Sequence, residues 1–234
     1  MSTPNPTTAD QAPPATRSRE LRLSDVRAVA RLHLTLFPDY FLSRLGPAFL
    51  ERFYAGFAGS GPDLGFVAES AGEVVGFVVG TTEPRGVYRR FYRRHALRLG
   101  PAFLRRCLTD AAVRRAVRPR LRHVGLAFLS LLRRPSLGRA RGPAAATATV
   151  PVARLMGIAV RPDHRGTGLA DELADRFCGR CAAAGIETVG LSVHEDNGRA
   201  IAFYVRSGWQ RDRAARAGIG FVRPAAVAGP GRSS

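Results

Sequence analysis

Polar and apolar residues alternate from Glu20 to Leu23, the two-residue period of a short strand; Ser24 then stands as an N-cap with Asp25 in the first turn of a helix running to about Leu36. Phe37-Pro38-Asp39-Tyr40 interrupts that helix, because proline disfavours helical backbone at the residue before it. Apolar positions resume at helical spacing through Phe41, Leu45, Phe49, Leu50, Phe53, Tyr54 and Phe57, which predicts two helices joined by a tight elbow. Leu64 to Glu69 and Glu73 to Thr81 are β-rich runs separated by Ser70-Ala71-Gly72, a hairpin signal. Strand character returns only at Val152 to Val160. From there the order is a Gly-containing turn, a helix from about Gly168 to Ala184, a strand from Glu187 to His194, a helix from Gly198 to Ser207, and closing strands at Trp209 to Arg213 and Gly218 to Arg223. No internal repeat is visible. The pattern predicts a mixed α/β sheet, mostly antiparallel and of six to seven strands, flanked by helices.

Length and composition divide the chain around that pattern. A chain of 234 residues, 45% of them apolar, fills one α/β core with a tail or insertion left over, so we expect a single domain over 19–225. Residues 1–18 are rich in Thr, Pro and Ala and read as a disordered lead-in, and 226–234 as a flexible tail. No stretch approaches the roughly 18 apolar residues of a spanning helix, so the expected location is the cytoplasm, with contact at the inner membrane face left open. Three cysteines without an export signal argue against a disulfide framework; Cys178 and Cys181 form a C-x-x-C inside a helical run, with no second pair at zinc-ligand spacing, and read as packing residues. No metal is expected.

The net charge of +18 is concentrated rather than spread. Residues 85–141 contain 17 Arg and one acid, Asp110, whereas the other 19 Arg face 17 acids. Within this segment Tyr88, Phe91, Tyr92, His95 and Leu99 recur at helical spacing among arginines, Phe103, Leu104, Cys107 and Leu108 repeat the arrangement, and Val124 to Leu132 is mostly apolar. These features predict a basic helical insertion at about 85–149, between strands three and four. Docking on anionic lipid is the favoured partner because aromatic and leucine stripes exceed what phosphate contact requires; nucleic acid is the weaker alternative, and packing as a lid or homodimer contact a third.

Candidate chemistry begins where the Val160 strand ends. Arg165-Gly166-Thr167-Gly168-Leu169-Ala170 is a glycine-rich turn feeding a helix, which offers unpaired backbone N–H groups and the positive end of a helix dipole to a phosphate. No Gly-Lys-Ser/Thr follows, and the dinucleotide G-x-G-x-x-G pattern is missing, so those two phosphate-binding readings fall away. A second block runs Asn197-Gly198-Arg199-Ala200-Ile201-Ala202-Phe203-Tyr204-Val205-Arg206-Ser207-Gly208-Trp209.

The first block resembles the acetyl-CoA motif [Q/R]-x-x-G-x-[G/A] of the GNAT superfamily of N-acetyltransferases, with Arg165, Gly168 and Ala170 at its defining places, and the second resembles that family's N-x-x-A-x-x-F-Y-x-x-x-G-[FW] signature. The resemblance implies a GNAT fold and an acyltransferase moving an acetyl group from acetyl-CoA to a primary amine of a small-molecule or lipid-linked acceptor, by direct attack in a ternary complex. It also implies the cofactor residues: the strand around Ile158, Ala159 and Val160 for the pantetheine arm, Arg165, Gly166, Thr167, Gly168, Leu169 and Ala170 for the pyrophosphate, and Asn197 where the sheet splays. Tyr204 is carried over as general acid, and a phenol of pKa about 10 can donate to a departing thiolate. The fourth strand lacks the Glu that some relatives place there, which leaves His194 and Glu195 as base candidates, with Glu83 and Asp39 behind them. The elbow residues Phe37, Asp39 and Tyr40 are expected to line the acceptor pocket. A protein N-terminal or lysine acetyltransferase and a non-catalytic module anchored through the insertion stay open beside the main reading.

Overall fold

The alternating run from Glu73 to Thr81 becomes the strand around which the sheet is built. The computed structural model describes residues 16–59, 61–84, 86–87, 90–91, 152–213 and 218–225. Seven strands, β1 (Arg17–Glu20), β2 (Asp63–Ser70), β3 (Glu73–Thr81), β4 (Val152–Val160), β5 (Thr188–Val193), β6 (Gln210–Asp212) and β7 (Ile219–Pro224), lie in the order β1-β2-β3-β4-β5-β7-β6. All neighbours are antiparallel except β4 and β5. The β2–β3 hairpin closes over a two-residue turn in which Ala71 (φ 49°) and Gly72 (φ 79°) are both left-handed, the conformation that matches strand twist. The arginine-rich insertion expected at about 85–149 lies outside the described residues apart from Gly86, Val87, Arg90 and Phe91.

Helices cover the two faces differently. α1 (Val26–Leu36), α2 (Phe41–Arg44) and α3 (Pro47–Ala55) precede the hairpin, whereas α4 (Leu169–Ala183) and α5 (Gly198–Arg206) follow β4 and β5. Val29, Leu50, Phe53 and Tyr54 pack with Val67, Phe77 and Val79 on one face. Leu173, Phe177, Cys178 and Cys181 of α4 pack with Val78, Ala153, Leu155 and Val189 on the other. Both cysteines are therefore core residues, and burial pushes the Cys181 thiol up to about 12. Gly80 must stay small, because a Cβ there would overlap the Arg154 carbonyl oxygen and the Phe177 ring.

Three expectations are corrected. The first strand is Arg17–Glu20 rather than Glu20 to Leu23: Leu23–Asp25 is drawn into a 3₁₀ turn, and Arg19 fixes the register by donating to Glu69 on β2 and to both carboxylate oxygens of Asp25. Ser24 is not the N-cap: it lies inside the 3₁₀ turn, where Asp25 reaches back to accept the Arg22 N–H at 2.8 Å, and Asp25 itself precedes α1 without a side-chain cap. The second helix is broken into α2 and α3 at Gly46, whose φ of 89° ends one segment before Pro47 opens the next.

Between α1 and α3 a polar pair is sealed into the apolar layer. The Tyr54 phenol and His33 Nδ1 share a hydrogen bond of 2.6 Å, while His33 Nε2 is buried without a partner. Desolvation lowers the His33 pKa from 6.5 to about 4. The unfolded chain protonates near pH 6.5 and the folded one does not, so stability is full above 6.5 and falls as pH drops toward 4. Urea unfolding should show a loss of about 2 kcal/mol between pH 7 and pH 5, at about 1.4 kcal/mol per pKa unit, and His33→Gln should flatten that slope. An unchanged slope in the variant would remove His33 as its source.

Candidate active site

The sheet opens where β4 and β5 part. Their parallel ladder consists of Val152↔Thr188, Ala153↔Val189 and Arg154↔Gly190, and beyond it the facing edges of Leu155–Val160 and Leu191–Val193 have no strand partner. A bulge sharpens the divergence: Gly80 and Val79 of β3 oppose Leu155 and Gly157, which leaves Met156 as the extra residue of β4. The result is a fork whose vertex lies at Arg154 and Gly190 and whose mouth lies at the C-terminal ends of both strands. α4 and α5 both start from that mouth, because each follows one of the two strands by a short turn.

The glycine-rich turn stands at one side of the mouth. Gly166 (φ 80°) and Gly168 (φ 82°) adopt left-handed backbone, and space is open where their side chains would be. No side chain caps α4, so its opening amides are free to meet an anion. The acids of its first turn point elsewhere, Asp171 accepting from Ser207 and Glu172 from Ser18. Thr167 Oγ1 donates to the His164 carbonyl, and Arg165 Nε to the Val160 carbonyl at 3.4 Å. Desolvation and then the neighbouring Arg199 hold the Arg165 guanidinium below its usual pKa, which sets two cations together at the turn. Arg199 was not among the residues singled out from sequence; its place at the second position of α5 is the signal that brings it to the mouth.

Other expected residues divide between the two faces. Asn197 caps α5, its side chain accepting the Ala200 N–H at 3.1 Å. Ala159 and Val160 are buried and Ile158 half-buried along the open edge of β4. Tyr204 is buried in the α4 layer against Trp209 and Phe221, at ring separations of 5.4 and 5.5 Å. Desolvation raises its pKa and the Tyr40 phenol adds to the rise. Phe37 and Tyr40 stack at 5.0 Å, with Asp39 exposed between them. His194 and Glu195 are exposed at the end of β5, where His194 Nδ1 lies 3.3 Å from Asp196. Glu83 is drawn away to an ion pair with Arg90. A concavity of about 370 Å³ lined by Arg17, Arg19, Arg22 and Glu69 lies at the β1 edge and touches none of these residues.

A family model described as the acetyltransferase (GNAT) family matches residues 122–209, the stretch that holds both motif blocks and the fork. Over that stretch the chain is similar to the GNAT acetyltransferase family, which uses acetyl-CoA as co-substrate. Solved GNAT structures share the fold. SsHAT aligns at 24% identity and TM-score 0.59, covering 92% of this chain and all of its own. The PaiA N-acetyltransferase of Thermoplasma acidophilum, in complex with coenzyme A, aligns at 11% identity and TM-score 0.52 over 90% of this chain and 99% of its own. The aminoglycoside N-acetyltransferase AAC(6')-Iy, in complex with CoA, aligns at 11% identity and TM-score 0.53 over 88% and 94%. No curated protein sequence matches. Among the described residues no three His, Cys, Asp or Glu side chains gather as a metal site, and no helix is long and apolar enough to cross a membrane.

The left-handed turn gives a direct test of the GNAT donor site. Gly168→Val forces a branched side chain into left-handed backbone at a cost of about 1–2 kcal/mol and tilts the opening amides of α4. Calorimetric titration should show acetyl-CoA affinity falling about tenfold or more, while Gly179→Ala, in the middle of the same helix, leaves it unchanged.

Proposed function

We propose that this GNAT enzyme is an N-acetyltransferase acting on a primary amine of a small-molecule or lipid-linked acceptor, and that the amine attacks acetyl-CoA directly in a ternary complex. The observation that carries this reading is the fork between β4 and β5 with the left-handed Gly166 and Gly168 turn opening α4 at its mouth, a geometry that supports a phosphate-bearing donor entering between the strands. An elongated donor entering at the mouth would hold its phosphates at Arg165 to Ala170, run its pantetheine along the free edge of Ile158, Ala159 and Val160 past Asn197, and deliver its thioester toward the vertex. The acceptor would then approach from the side of Phe37, Asp39 and Tyr40.

In the reaction the amine lone pair attacks the thioester carbonyl carbon, the carbon–sulfur bond breaks, and the proton of the Tyr204 phenol passes to the leaving sulfur. Burial keeps that phenol protonated at neutral pH, which suits an acid that must hold its proton until the thiolate forms. The proton lost by the attacking ammonium leaves through the mouth, where His194 and Glu195 stand in solvent.

Composition extends the proposal to location. The arginine and aromatic content of residues 85–141 supports peripheral association with anionic membrane, next to a lipid-linked amine. Deleting those residues should abolish sedimentation with anionic liposomes, and binding that survives the deletion would remove the membrane from the proposal.

Tyr204→Phe separates the acid from the binding site. Acetyl-CoA affinity should hold within about twofold while kcat falls about 100-fold, the range of one general acid. Unimpaired turnover would exclude Tyr204 from proton transfer.

A further inference from the structure

One cation of the fork is left unexplained by the donor. Arg154 is the last residue of β4 to pair with β5, opposite Gly190. Its neighbours Ala153 and Leu155 enter the α4 layer, so strand alternation directs Arg154 to the other face, the face of Met156 and of the elbow. From there the guanidinium reaches along β5, Nη2 donating to Ser192 Oγ at 2.5 Å, two residues past the end of the ladder. It therefore lies across the vertex of the fork on the acceptor side.

Among the described residues Arg154 differs from other strand and turn arginines in its pairing. Arg19, Arg90, Arg161 and Arg223 each pair with a carboxylate, whereas Arg154 makes no ion pair among the described residues. The surface beside it is small and apolar: a Cβ on Gly190 would sit in ordinary contact with Val152 and Val222, and Gly220 faces Ser192 across the β5–β7 ladder. Arg154 is exposed among the described residues, and most of its five N–H donors are uncommitted. The donor's phosphates do not explain it. Six residues of strand separate Arg154 from Val160, where the phosphate turn begins, a span of roughly 20 Å at 3.3 Å per residue.

We infer that the acceptor carries an anionic group, a carboxylate or a phosphate, within a few bonds of its amine, and that Arg154 receives that group at the fork vertex. Resting on the acetyltransferase reading above, this narrows its substrate class. The guanidinium fork matches either oxyanion in bidentate fashion, and holding it beside Ser192 presents the amine to the thioester delivered at the same vertex. Arg154 is on this account a specificity-determining residue and takes no part in proton transfer.

The test is a panel of matched amines: amino acids and aminoalkyl phosphates, each against its own amide or dephosphorylated amine, with 1,3-diaminopropane as the cationic member. Thiol release from acetyl-CoA reads turnover by the full-length protein, and calorimetry reads acetyl-CoA binding by each variant. Wild type should favour the anionic member of at least one pair by about tenfold or more in kcat/KM, the effect of one charge-assisted hydrogen bond. Arg154→Gln should erase that preference mainly through KM, and Arg154→Glu should turn it toward the diamine, while both bind acetyl-CoA as wild type does and melt within a few degrees of it. The carboxylate and phosphate arms tell the two sources apart. Equal or better use of the neutral members, a preference that survives in Arg154→Gln, or no turnover of any anionic member by an enzyme that binds acetyl-CoA would each overturn the inference. A wild-type protein that fails to bind acetyl-CoA overturns the reading beneath it as well.

Discussion

The structure depends on a ladder that stops early. A strand inside a sheet pairs its backbone groups on both edges, and leaving a buried amide or carbonyl unmet costs about 1–3 kcal/mol. β4 and β5 share three rows and then part, yet both continue, β4 supported by β3 and β5 by β7. The bulge at Met156 turns β4 away, and the helices that leave both strands at the same end keep the gap from closing. What remains is a cleft walled by free backbone groups, and the amides of pantetheine are of the chemistry that can pair with such edges. On the proposed reading, affinity for the donor and the fold draw on the same set of hydrogen bonds, some made within the sheet and some left for the ligand.

Much of this could be read along the chain because the signals are local. The Ser70-Ala71-Gly72 turn, the apolar run of β4 and the stripe Leu169, Leu173, Phe177 and Cys181 each specify an element with neighbouring residues alone, and the observed boundaries fall within a residue or two of the expected ones. The glycine-rich turn before α4 was legible for the same reason, its glycines being required by left-handed backbone. The first strand was misplaced because its register is set at long range, by Arg19 reaching Glu69 and Asp25, and alternation over four residues carries too little information to locate it. The break at Gly46 was hidden by apolar spacing that continues across it.

The site residues that sequence reading passed over were hidden by their geometry. Arg199 is two residues beyond a recognised Asn, but only the convergence of α4 and α5 brings it beside Arg165. Arg154 sits in a strand singled out for the carboxylate it lacks. Its significance depends on which face alternation assigns it, on where the β5 ladder ends and on Ser192, and the last two are tertiary facts.

A chain with a net charge of +18 attracts anions everywhere, so attraction alone cannot discriminate among them. Discrimination comes from where the acids stand. Asp25 and Glu69 occupy Arg19, Asp63 and Glu83 occupy Arg90, Glu73 and Asp163 occupy Arg161, and Asp175 occupies Arg223. Those pairs tie strands to helices and turns and leave little charge for a ligand. Arg165 and Arg199 at the mouth and Arg154 at the vertex are not neutralised in this way, and β4 holds the two positions a fixed distance apart. An anion binding at only one of them gains one contact that salt screens readily; on the reading proposed above, a donor at the mouth and an anionic acceptor at the vertex would fill both, and only then would the thioester meet the amine. On that reading strand length converts a general affinity for negative charge into selection of two particular ligands at once.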